Sequence, residues 1–168
     1  RRVAIEAARE LLLEAGPQAV TLKAVATRIG QTHANVLHHF GSAAGLQAAL
    51  GEHISQTVCQ MILRAMQARL AGVGSVRESI DLDFDAFDKE GGSALYAWLA
   101  LNGDDAGMKP MADAIATVAR AMAADGKPSL ARRDGVLVAN LLAFADALIG
   151  DILTTHLDLP RTRAREIA

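Results

Sequence analysis

An all-α fold is predicted by three features of the 168-residue chain. Hydrophobic residues make up 51% of it but aromatics only 4%, so alanine, leucine and valine supply the apolar surface, a mixture that favours helices. Apolar residues recur at three- and four-residue spacing in successive segments, most opened by a Ser or Thr and closed by Gly or Pro. No strand-like alternation, internal repeat or low-complexity tract interrupts this pattern. The length suffices for one good core, or for a small domain beside a larger one, without disulfides or metals as staples.

The first helix is expected over residues 3 to 15, where Val3, Ala7, Leu11 and Ala15 form an apolar stripe widened by Ile5, Ala8 and Leu12. Gly16-Pro17 stops it. Thr21 suits an N-cap for LKAVATRI, which carries Leu22, Val25, Ala26 and Ile29 inward before Gly30, the natural residue for a left-handed helix end. After Gln31, Thr32 caps HANVLHHF, with Val36 and Phe40 on the buried side. Two short helices joined by a three-residue turn containing glycine form a helix-turn-helix. Ser42 caps a long helix from Ala43 to about Leu70, apolar at Leu46, Leu50, Ile54, Val58, Met61, Ile62 and Ala65. Gly72 and Gly74 end it. Ser75 opens a helix with Val76, Ile80, Phe84 and Phe87 on one face; ALYAWLAL follows the break at Gly91-Gly92. A loop is expected from Gly103 to Gly107, a helix from about Lys109 to Ala124, a turn at residues 125–128, a nearly all-apolar helix from Leu130 to His156 and a last helix after Pro160.

Charge is distributed unevenly. The whole chain has a net charge of -2, which argues against nucleic-acid binding over the surface at large. Residues 1–50, however, hold five Lys/Arg against three Glu, net +2, leaving -4 for the remainder. Cys59 is the single cysteine; it excludes an internal disulfide, fits a reducing compartment and is expected to pack as a small hydrophobe. No apolar run is expected to reach bilayer-spanning length and no cleavable leader is visible, so a cytoplasmic protein with no membrane association is expected.

The basic end also carries the unusual polar cluster. The second helix of a helix-turn-helix enters the major groove, and its exposed N-terminal residues meet base edges. Here these are Thr32, His33, Ala34 and Asn35, with Leu37, His38 and His39 further along. Asn pairs bidentately with adenine, His and Thr contact bases or phosphates, and Ala and Leu touch a thymine methyl. Lys23 and Arg28, with the helix starts at Thr21, Thr32 and Ser42, are placed for phosphate. Taken alone, His38-His39 also reads as a polar turn on a surface helix. As a metal site the histidines fall short: at H-x-x-x-H spacing His33 meets Leu37, and His39 meets Asn35. No metal and no cofactor are expected.

From the first helix through TLKAVATRIG, Gln31, THANVLHHF and GSAAGLQAAL, over about residues 3 to 50, the chain resembles the DNA-binding domain of TetR-type transcriptional regulators. Beyond residue 50 only the helical layout and the long penultimate helix resemble that family. The resemblance implies base-facing positions at His33, Ala34 and Asn35, and backbone contacts at Lys23, Leu37, His38 and His39. Two positions depart: Leu37 replaces the usual Tyr and Ala43 the usual Lys, each costing about 1 kcal/mol of contact. The implied architecture is a helix-turn-helix domain at 1–46 and a ligand-binding and dimerisation bundle at 47–168. The implied activity is that of a repressor released from a palindromic double-stranded DNA operator by a small-molecule effector.

The helix at 130–156 is apolar on nearly every side and must be covered all round. It fits either the central helix of a monomer or a helix shared with a second copy. Gly135, Ala139, Ala143 and Ala147 form a small-residue stripe, expected to be the dimer interface. The resemblance implies a homodimer through the last two helices, which sets two reading helices about 34 Å apart. An effector pocket is expected among Met61, Phe84, Phe87, Tyr96, Trp98, Met108, Met111, Phe144 and Asp146; each apolar member also reads as ordinary core. Asp146, an acid inside an apolar helix, needs a partner: a ligand or a group in the dimer seam. Asp81, Asp85 and Asp88 read as a solvated edge and not a calcium loop. No glycine-rich phosphate loop, GxSxG elbow or Cys-base pair points to an enzyme. The competing reading is a helical small-molecule-binding or interaction module that kept the fold and lost its operator.

Overall fold

The computed structural model describes residues 1–123 and 129–168. The turn expected at 125–128, and Ala124 at the end of the seventh helix, lie outside them. The described residues form helices and no strand. Helix α1 spans Arg2–Ala15, followed by a 3₁₀ turn at Pro17–Ala19; α2 is Leu22–Arg28, α3 His33–Phe40 and α4 Ala43–Leu70. The remainder comprises α5 (Val76–Phe87), α6 (Gly92–Leu101), α7 (Asp105–Ala121), α8 (Leu130–His156) and α9 (Arg163–Ile167).

Local chemistry sets the boundaries. The side chains of Thr21, Thr32, Ser42, Ser75 and Ser129 each accept a hydrogen bond from the backbone N–H three residues on, satisfying a donor that the helix leaves free. Helix α7 begins earlier than expected because Asp104 caps it through the Gly107 N–H at 2.9 Å, drawing residues 105–108 out of the expected loop. Pro110 then sits inside the helix instead of at its edge.

The buried face of α1 is rotated from the expected one. Ala4, Ile5, Ala7, Ala8 and Leu12 are buried, whereas Val3 and Ala15 are exposed and Leu11 is only half-buried. The core these residues enter is continuous with that of the C-terminal body, running through Leu46 and Leu50 of α4 to Leu95, Tyr96 and Leu99 of α6. The boundary expected after residue 46 therefore falls inside α4, whose first turns are anchored by two fully buried leucines, each contributing about 1.5–3 kcal/mol. Polar ties reinforce the junction. Gln47 donates to the carbonyls of Pro17 and Val20 at 3.3 and 3.2 Å, and Arg9 Nε donates to Glu90 at 2.7 Å.

Helix α8 overturns two expectations. It is long and apolar enough to cross a membrane by length and composition, with mean hydropathy 2.0 over its most apolar window; the scattered Asp134, Asp146 and Asp151 hide this in a search for an uninterrupted apolar run. The small-residue stripe does not form an outer face. Ala143 is fully buried in its own chain, Ala139 lines an internal cavity and Ala147 packs near Phe84 and Phe87. Small side chains let α8 approach α5 closely, and only Gly135 of the four is exposed. The opposite side carries the large residues: Leu137, Val138, Leu141, Leu148, Ile149, Ile152 and Leu153 are all exposed.

Candidate nucleic-acid interface

The geometry of the α2–α3 turn follows from a few residues. Gly30 takes φ +64, a left-handed value that favours glycine. The chain then reverses, with Gln31 N–H donating to the Ala26 carbonyl at 2.9 Å. Val36 is the one buried residue of α3. Val25 and Ala26 of α2 are buried in the same core. At the far end Gly41 closes α3 and Ser42 opens α4, and a side chain at Gly45 would collide with the Phe40 carbonyl oxygen. The α3–α4 corner is thereby held tight.

With Val36 turned inward, the rest of α3 through His39 faces out. Thr32, His33, Ala34, Asn35, Leu37, His38 and His39 are all exposed, as is Lys23 on α2. The Asn35 side-chain amide donates to Gln31 Oε1 at 2.7 Å, presetting its orientation. The His38 and His39 rings lie 5.8 Å apart, tilted by 55°. The first turns of α3 and α4 carry no acidic residue, which leaves their N-termini attractive to anions.

Arg28 departs from its expected role as a phosphate contact. Its two terminal nitrogens grip the Glu14 carboxylate at 2.8 and 2.6 Å, and one also reaches Glu10 at 3.3 Å. A fork-to-fork pair of this kind is geometrically specific; it clips α2 to α1, and the Arg28 hydrogen bond holds the Glu14 carboxyl below its ordinary range. Two residues not singled out from sequence join the site: Gln31, through Asn35, and Arg1, whose guanidinium lies 5.8 Å from the centre of the Phe40 ring. Glutamine in a turn gives no pattern by which to find it.

Residues 4–50 match the model for bacterial regulatory proteins of the tetR family. Over this segment the chain is similar to the DNA-binding domain of that family. The match supports a DNA-binding transcriptional regulator. No curated protein matches the chain.

In the C-terminal body a partly open cavity of about 140 Å³ lies among α4, α5, α6, α7 and α8. It gathers Phe87, Tyr96 and Met111 from the residues expected to bind a ligand. The others lie elsewhere. Met61 is exposed on α4, Phe84 is sealed in a separate cluster, Trp98 and Met108 are partly buried away from the lining, and Phe144 packs edge-on against Phe87 at 5.6 Å. Asp146 has a protein partner and no place in the lining: Arg161 donates to its Oδ2 at 2.6 Å and to its carbonyl at 3.1 Å. The acids at 81 and 85 form an ion-paired edge with Arg77, Lys89 and Arg165. Asp83, between them, points the other way because two residues turn a helix by about 200°; it lines the cavity. Burial pushes its carboxyl up from the ordinary 3.8 to about 6.

Proposed function

We propose that this protein is a ligand-responsive repressor that binds a palindromic operator as a homodimer, acts in the cytoplasm and lets go of DNA when a small molecule enters the C-terminal cavity. In this reading residues 1–46 read DNA, and residues 47–168 sense the effector and pair the subunits. His33, Ala34 and Asn35 meet base edges; Lys23, Thr32, Leu37, His38 and His39 meet the backbone. The observation that carries the reading is the single inward anchor of α3 at Val36, which leaves the polar edge around it free.

Dimerisation is supported by the exposed apolar side of α8. Leu137, Leu141, Leu148 and Ile152 follow one another at four- and seven-residue spacing and remain uncovered in the single chain. An exposed patch of this kind calls for a partner. Its inner side argues for a second copy in water over lipid, since the Asp146–Arg161 pair ties α8 to the segment that follows it. Effector coupling has a direct route: Tyr96, in the cavity wall, donates from its hydroxyl to the Gly51 carbonyl of α4 at 2.7 Å. Helix α4 carries Leu46 and Leu50 into the core shared with the reading domain, so pressure on Tyr96 bears on the helix that holds α3.

One observation favours a second reading, a ligand-binding module with little operator affinity. Arg28 is tied to Glu14, and Leu37 and Ala43 offer no phosphate bond, so the surface has few contacts for a backbone. A mobility shift with the DNA flanking the protein's own gene separates the two. The repressor reading expects a discrete shifted band that weakens steeply with added salt; no shift at low salt, with folded dimeric protein, favours the module.

A further inference from the structure

The effector cavity has a polarity that narrows what it accepts. Its donors are largely committed, the Ser79 hydroxyl excepted. The Tyr96 hydroxyl gives its proton to the Gly51 carbonyl, Ser55 shares a short hydrogen bond with the Tyr96 oxygen, and the Cys59 thiol faces the Ala114 carbonyl at 3.8 Å. Its acceptors are not. Asn140 spends an amide N–H on the Val136 carbonyl at 2.9 Å and leaves Oδ1 buried with no hydrogen-bond partner among the described residues. Asp83 makes no hydrogen bond or ion pair among the described residues. The remaining walls are mostly apolar. Buried acceptors without donors are costly, and a carboxylate in apolar surroundings is relieved best by a cation. A cavity near 150 Å³ is known to hold a single benzene-sized ring, close to the 140 Å³ present.

We propose that this cavity takes a small apolar amine of about single-ring size, with its ammonium group on Asp83 and the Asn140 amide oxygen as a second acceptor. The proposal rests on the reading of the cavity as the effector site, but it is tested without DNA. Isothermal titration of the full chain at pH 7.5 with benzylamine, benzyl alcohol, benzoate and toluene compares ligands of one shape and different polarity. The expected order places benzylamine at least tenfold tighter than benzyl alcohol, with benzoate weakest because its charge opposes Asp83. Asp83→Asn should weaken benzylamine at least tenfold and leave toluene unchanged, and Asn140→Leu should weaken benzylamine to a smaller extent; a melting curve for each variant verifies folding. Equal binding of benzoate, indifference of benzylamine to Asp83→Asn, or no binding of any of the four overturns the proposal. Benzylamine that binds as expected yet leaves the operator complex intact refutes the effector reading and spares the ligand class.

Discussion

Replacing Asp83 by Asn should make the ligand-free protein more stable at neutral pH. Its carboxyl is pushed up from 3.8 to about 6 by burial. The folded chain therefore holds a proton between about pH 4 and 6 that the unfolded chain has already lost, so stability falls as pH rises through that window and the full penalty applies above it. At about 1.4 kcal/mol for each pH unit between the two values, the penalty is about 3 kcal/mol at most. Asn keeps the size and polarity of the protonated acid and cannot ionise. For a chain of this size the gain corresponds to a rise in Tm of roughly 5–10 °C. The other titratable groups in the lining do not interfere: burial raises the Cys59 thiol and pushes Tyr96 to about 12. Thermal unfolding followed by circular dichroism at pH 4, 5, 6, 7 and 8 gives the test, read as the gap between variant and parent so that other carboxylates cancel. The gap should be small at pH 4 and open between pH 4 and 7. A constant gap, or one that opens toward acid, would refute the placement of an unpartnered carboxylate in that wall.

Three further outcomes are expected. Thr32→Ala removes the side-chain cap on the Asn35 N–H and should lower stability by about 1 kcal/mol while weakening operator binding through a frayed α3, as measured by melting and by titration with DNA. Leu141→Asp, at the centre of the exposed side of α8, should convert the proposed dimer to a monomer in sedimentation at micromolar concentration, whereas Ala143→Ser on the inner side should leave the association state unchanged. Restoring the two missing backbone contacts in the double variant Leu37→Tyr with Ala43→Lys should tighten operator binding about tenfold or more, on the scale of about 1 kcal/mol per contact, and steepen its dependence on salt.

The elements of the reading domain were legible because each is marked by a local signal: a Thr or Ser cap, a glycine forced to positive φ, or an apolar residue every third or fourth position. The same signals bring α4, α5 and α8 to within a residue or two of their bounds. What the sequence leaves open is which way a residue faces when two sides of a helix are apolar. The stripe from Gly135 to Ala147 fits a dimer seam as well as an internal contact, and only the position of α5 against α8 decides for the latter. Arg28 looked available because its partners, Glu10 and Glu14, lie on another helix. Asp146 had the required partner in Arg161, 15 residues away, beyond the end of its own helix. Asp83 was hidden among its neighbours in a run of acids, although helical geometry alone separates it from Asp81 and Asp85. The cavity members missed, Asp83 and Asn140, are polar groups whose significance comes from missing partners, a property no residue pattern carries.

That the outward edge of α3 selects a DNA sequence is tested most directly by titrating the variant His33→Ala with Asn35→Ala against its operator and against a random duplex at the same salt. Affinity for the operator should fall by tenfold or more while that for the random duplex stays within about twofold, since base contacts carry discrimination and backbone contacts do not. An equal loss on both, or none on either, would contradict it.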